Sequence, residues 1–329
     1  MPSRRVAVVG APSQLDLPMI PLKPLGRALR PGLALLSMAL LAGCQSALLD
    51  PKGQIGQDQK TLLITSVVLM LLVVIPVIVM TIAFAWKYRA SNTKARYEPE
   101  WSHSTAIEVV VWSIPCLIIL VLAVLTWRSS HALDPYRPLQ SDVAPVEIEA
   151  VAMDWKWLFI YPQEGVATVN EITVPVDAPL NFRITSDTVM NSFFIPHLGT
   201  QIYAMAGMQT KLHLIANEPG EYFGISANYS GHGFSKMGFA VHATDNAGYQ
   251  AWLQKVKAAP QKMDDAAFQA LAANRNDKEQ YPVTYFASVQ DGLFKALLDK
   301  HMMGGQKHEG HDHAATGAEP VAMCTSGDN

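Results

Sequence analysis

Residues 219–237 read PGEYFGISANYSGHGFSKM. The stretch has the rhythm of a metal-holding loop: aromatic, glycine, small polar residues, glycine, methionine. A soft metal site needs thiolate, imidazole or thioether ligands converging on one point. This stretch contains no cysteine and supplies one imidazole, His232, and one thioether, Met237. It is a metal loop, the remnant of one, or an ordinary turn, and the flanking sequence has to decide.

On either side of it, apolar and polar residues alternate. Val146-Glu-Ile148-Glu-Ala150 does so, as do Leu180, Phe182 and Ile184, then Leu212 and Leu214, then Met237, Phe239 and Val241. A period of two predicts half-buried strands. Pro- and Gly-containing turns separate the runs, which predicts a β-sandwich or barrel over 142–244. Within it, Trp155, Trp157, Phe159 and Tyr161 fall on one face of a predicted strand. They read as core or interface packing, or as an electron-entry surface. Beyond residue 244 the spacing becomes helical at Tyr249, Trp252, Leu253 and Val256, at Phe268 and Leu271, and at Leu293, Phe294, Leu297 and Leu298. Segment 245–303 is therefore expected to form short amphipathic helices over the sandwich or a partner. The tail 304–329 is Gly-, Ala- and His-rich and is expected to be disordered, with no metal role for His308, His311 or His313.

Upstream the composition changes. Half of the 329 residues are hydrophobic and only 16% are charged, which points to membrane segments. Thr61–Trp86 and Val109–Trp127 contain no charged residue. Each is long enough to cross a hydrocarbon core of ~30 Å. Pro76 and Pro115 lie inside these runs, where membrane helices tolerate them. The connecting segment 87–104 carries Lys87, Arg89, Lys94 and Arg96, whereas both outer flanks mix acids and bases. The positive-inside rule places that loop in the cytoplasm and both flanks outside. The hairpin is expected over 61–128, after an external segment 44–60. A net charge of −3 gives no indication of a nucleic-acid partner.

Residues 1–43 read as a targeting segment: a basic region, a short apolar run from Leu33 to Leu41, and then Leu41-Ala42-Gly43-Cys44. Small residues before a cysteine resemble a bacterial lipobox, which predicts cleavage and lipidation at Cys44. An external Cys44 agrees with the charge-derived orientation. Cys116 reads as a small apolar residue within the second membrane run, and Cys324 lies in the tail. Glu108 precedes the second run. It is either a headgroup-level charge favoured by the helix N-terminus, or a proton-entry carboxylate of the kind that marks proton relays.

Two membrane helices before an external β domain resemble subunit II of the haem–copper respiratory oxidases, over roughly 50–303. In the cytochrome c branch that subunit holds a dinuclear copper centre. Its ligands come from an HSFxVP-type segment and a CSEICGxxHxxM-type loop. Set against those patterns, VMNSFFIP places Asn191 at the first histidine position. Ser226 and Ser230 stand at the two cysteine positions, Asn228 at the glutamate, Phe234 at the second histidine, and only Met237 is kept. Serine hydroxyls cannot replace bridging thiolates. The pattern resembles the copper-free, cytochrome bo-type quinol oxidase branch, with SALLDPKGQIG, FAWKYRASN, MDWKWLFIYP, GTQIYAMAGMQT and LHLIANEPG as further matching runs.

The resemblance implies a fold of two N-terminal transmembrane α-helices followed by an all-β cupredoxin-like Greek-key sandwich with short C-terminal helices. It implies a non-redox structural subunit of a proton-pumping ubiquinol oxidase in a bacterial inner membrane. No catalytic, metal or cofactor-binding residue is then expected in this chain; haem and copper belong to subunit I. The implied partners are subunit I, smaller membrane subunits, membrane lipids, and ubiquinol by way of subunit I, without cytochrome c docking. The resemblance also favours the proton-entry reading of Glu108, which stands ahead of Trp112 and Pro115 as the family's subunit II glutamate does. Two other readings compete: a copper-containing electron-entry subunit of a cytochrome c oxidase, and a lipid-anchored cupredoxin-like binding module outside any oxidase.

Overall fold

The computed structural model describes residues 46–306 except 97 and 99. The signal segment, Cys44 and the tail beyond 306 lie outside the described residues.

Two long helices come first, α1 (Gln54–Lys87) and α2 (Thr105–Ala132). Both are apolar and long enough to cross a membrane, and they anchor the chain there. Their apolar side chains are largely exposed, as at Ile82 and Leu117. Helix α1 starts before the uncharged run because its first turn is held by the β domain. Gly53 bridges Ala216, the Lys52 amide donates to the His197 carbonyl at 2.7 Å, and Ile55 is buried. After α2, the Pro135 carbonyl accepts from His213 Nδ1 at 2.9 Å. Both membrane helices therefore leave the sandwich through fixed joints.

The β domain comprises β1 (Val146–Met153), β2 (Lys156–Tyr161), β3 (Val166–Val169), β4 (Glu171–Pro175), β5 (Pro179–Ser186), β6 (Asn191–Phe194), β7 (Ile202–Ala204), β8 (Thr210–Ile215), β9 (Gly220–Ser226), β10 (Phe239–Thr244) and β11 (Thr284–Phe286). A six-stranded sheet has the order β11-β3-β2-β1-β5-β8, and a five-stranded sheet the order β4-β10-β9-β6-β7. Between them lies an aromatic core. Trp157, Phe159, Phe193 and Phe239 form one aromatic cluster, in which Phe193 and Phe239 are stacked at 5.2 Å between ring centroids and Phe159 and Phe239 are tilted at 5.0 Å. Such pairs contribute about 0.5–1.5 kcal/mol beyond their burial.

Three helices follow or flank the last strand: α3 (Asn246–Lys257), α4 (Asp265–Ala273) and α5 (Leu293–Gln306). Asp245 and Asp264 cap α3 and α4, each accepting a backbone N–H at 2.8 Å. Such caps are worth about 1 kcal/mol. Phe268, Leu271, Phe286, Phe294 and Leu297 form a second core with Val151, Met153, Leu158 and Ile160. Strands β1 and β2 are consequently buried on both faces, where their alternation predicts one. The C-terminal segment is also not purely helical, since β11 extends the larger sheet beside β3.

Candidate functional site

The loop 227–237 and strand β6 meet at one end of the sandwich. Strand β9 pairs with β6 so that Ser226 stands opposite Phe193. This register brings Ser226 to the buried Asn191, whose side-chain oxygen accepts from Ser226 Oγ at 2.8 Å. Asn191 Nδ2 in turn donates to the Val189 carbonyl at 3.1 Å. The hydroxyl and amide thus satisfy each other without needing an ion.

The remaining members form a second group. Ser230 Oγ donates to Met237 Sδ at 3.7 Å, and Met237 is 1% exposed within the main core. Asn228 Nδ2 reaches the Met190 carbonyl at 3.3 Å. Phe234 opens a 3₁₀ turn, Phe234–Lys236, and its ring lies 5.8 Å from that of the exposed Tyr229. His232 is exposed.

Trp155 is placed differently from its expected position on the β2 face. It occupies the two-residue turn between β1 and β2, with φ at 64°. A bulky residue in left-handed backbone is uncommon and has to be held by its surroundings. Here the indole is covered by the loop: a Cβ on Gly231 would lie 2.6 Å from Trp155 Cη2, and one on Gly233 would overlap the ring. The two glycines allow the loop to lie flat on Trp155. Sequence spacing gave no sign of this contact.

A further clamp links the C-terminal helix to the segment between β5 and β6. Asp187, buried just after β5, accepts from Lys300 Nζ at 2.8 Å and faces His301 Nε2 at 3.1 Å. Lys300 and His301 lie 113 and 114 positions away in sequence, so no local pattern could connect them to Asp187.

The donor set is two serine hydroxyls, two amide oxygens and one buried thioether. Neutral oxygens do not suit copper in the way thiolate and imidazole do. The residues present therefore do not fit a dinuclear copper centre. Among the described residues no group of three or more His, Cys, Asp or Glu is placed to hold a metal ion.

Residues 141–244 match the family model described as Cytochrome C oxidase subunit II, periplasmic domain, and residues 257–305 match that of the COX Aromatic Rich Motif. The chain is 57% identical over 296 residues to cytochrome bo(3) ubiquinol oxidase subunit 2 of Pseudomonas aeruginosa, spanning 90% of this chain and 88% of the relative. The chain belongs to the ubiquinol oxidase subunit 2 family. Identity to ubiquinol oxidase subunit 2 of Acetobacter aceti is 53% over 284 residues, covering 86% of this chain and 91% of that one. Quinol oxidase subunit 2 of Bacillus cereus is 34% identical over 234 residues, covering 70% and 80%. In this chain the aromatic-rich region supplies Phe268, Phe286 and Phe294 to the second core.

Glu108 lies in the first turn of α2, exposed, and its amide donates to the Ser104 carbonyl at 2.9 Å. A carboxylate there complements the helix N-terminus. It stands apart from the β6 site in the sequence of elements, at the opposite end of α2 from the sandwich linker.

Proposed function

We propose that this chain is the non-redox subunit II of a proton-pumping respiratory ubiquinol oxidase. The observation that carries the reading is the Ser226–Asn191 hydrogen bond. It stands where the cytochrome c branch needs thiolate and imidazole, and it leaves no donor set for a copper relay. A quinol dissolves in the bilayer and delivers electrons there, so neither a copper relay nor a cytochrome c docking surface is needed on the sandwich.

In this reading α1 and α2 dock on subunit I, which carries the haems, the catalytic copper and the quinol site. The basic segment 87–104 lies in the cytoplasm, and the sandwich caps the complex on the periplasmic side. Cys44 carries the lipid anchor outside the inner membrane. Glu108, at the cytoplasmic end of α2, borders a proton-uptake entrance of subunit I.

Purification of the full chain in mild detergent tests the proposal. The expected result is co-purification with a haem-containing membrane subunit, ubiquinol-dependent O2 reduction by the complex, and no copper assignable to the subunit II chain. Purple copper absorption from this chain, or a chain isolated without any haem partner, overturns it.

A further inference from the structure

The linker between α2 and the sandwich folds back on the helix it leaves. The Asp134 carbonyl accepts from the Arg137 amide at 3.0 Å, and Asp134 Oδ1 accepts from the Tyr136 amide at 2.9 Å. Leu133 and Leu139 pack against the main core, and the Pro135 carbonyl is tied to His213. This pinned turn brings Arg137 to the last turns of α2. Together, Trp127, Arg128, His131, Ala132 and Arg137 line a cleft of about 350 Å³.

Three features of the cleft point to one class of ligand. First, the uncharged run of α2 ends at Trp127 and Arg128 is the first charge after it. The cleft thus sits where hydrocarbon gives way to headgroups, with Trp127 as the interfacial aromatic. Second, it is cationic: among the described residues neither Arg128 nor Arg137 forms an ion pair. Asp134, in the same turn, accepts from the Tyr136 amide. Third, the frame is ordered by contacts within the protein. His131 Nδ1 donates to the Trp127 carbonyl at 2.8 Å, and the two rings lie 4.6 Å apart. The cleft at the opposite end of the hairpin differs, because its Arg96 is already neutralised by Glu98 at 2.5 Å.

A guanidinium binds phosphate oxygens through paired N–H donors. Below Arg128, the exposed apolar side chains of Leu120, Val124 and Trp127 offer a track for acyl chains. We propose that Arg128 and Arg137 clasp the phosphate headgroup of an anionic phospholipid in the leaflet next to the sandwich. The lipid then braces the joint between α2 and the β domain. This rests on α1 and α2 being membrane spans.

The test uses the full chain, embedded in phosphatidylcholine bilayers doped with phosphatidylglycerol, with retained lipid read by native mass spectrometry. The wild type is expected to keep phosphatidylglycerol over phosphatidylcholine by roughly tenfold, and Arg128→Gln/Arg137→Gln to lose that preference. Lys87→Gln/Arg89→Gln at the other end should keep it. Arg128→Lys/Arg137→Lys, which preserves charge but not the paired donors, should fall between and guards against loss through misfolding. Excess inorganic phosphate should leave the lipid in place. Equal retention in the double Gln variant, indifference to headgroup charge, or displacement by free phosphate each overturns the site. Release of the chain from membranes by alkaline carbonate overturns the membrane reading as well, whereas an embedded chain without lipid preference overturns the site alone.

Discussion

Ser226 donates its hydroxyl hydrogen to the Asn191 side-chain oxygen across 2.8 Å in the interior of the sandwich. Two positions that hold copper ligands in the cytochrome c branch are here joined by a neutral hydrogen bond. The end of the sandwich is thereby closed by ordinary polar contacts. This pair gives the first prediction. Ser226→Ala leaves a buried amide oxygen without its donor and should cost about 1–3 kcal/mol. Asn191→Ala and Ser226→Ala combined should cost less than the sum of the singles, with a coupling of about 0.5–3 kcal/mol. Denaturant unfolding of the four proteins of the cycle measures it; strict additivity would show that the bond carries no stability.

Gly233 is the second test. An alanine there meets the Trp155 indole, which is itself held in left-handed backbone. Overpacking of this kind typically costs about 1–3 kcal/mol. Gly233→Ala should lower the unfolding midpoint, and adding Trp155→Ala should recover part of the loss. No recovery in the double variant would mean that the indole is not the obstacle.

Glu149 supplies a pH dependence. Burial pushes its carboxyl up, partly opposed by the Arg183 guanidinium 2.8 Å away, with Glu147 adding to the rise. A carboxyl with a raised folded value keeps its proton in the native state after the unfolded chain has released it. Its stabilising contribution is full below the ordinary glutamate range and is lost as pH rises through the folded value. The stability of the wild type relative to Glu149→Gln should therefore increase on acidification from neutral pH. A flat difference between the two proteins across that range would contradict the assignment.

Glu108 tests the proton-entry reading. Glu108→Gln keeps the shape of the first turn of α2 and removes the charge. In the assembled oxidase it should slow turnover several-fold while leaving subunit association intact. Turnover with ubiquinol and proton release are the readouts. Unchanged values would return Glu108 to the role of a headgroup-level charge at a helix N-terminus.

Much of this molecule was legible in the chain order. The membrane helices follow from two uncharged runs, because a bilayer accepts only long apolar segments with internally satisfied backbone. Alternation located β1, β5, β8 and β10, because a strand with one face on a core must change polarity every residue. The spacing within VMNSFFIP and ISANYSGHGFSKM showed which ligand types are missing, since ligand chemistry resides in residue identity.

Contacts between distant segments were not legible. The burial of β1 and β2 on both faces depends on α4, α5 and β11, more than 100 positions downstream of β1 in the case of Asp265. Trp155 was expected on a strand face because alternation carries no information about where a hairpin turns. Its seat on Gly231 and Gly233 exists only once β1–β2 and the loop after β9 share one end of the sandwich. The same holds for Asp187 with Lys300 and His301, and for the fold-back that sets Arg137 beside Arg128. Residue identity dictated which segments enter the membrane and that the loop lacks the ligands of a copper pair. Tertiary packing dictated what fills that place, because hydrogen-bond partners are chosen by strand register and chain crossing, which local sequence does not encode.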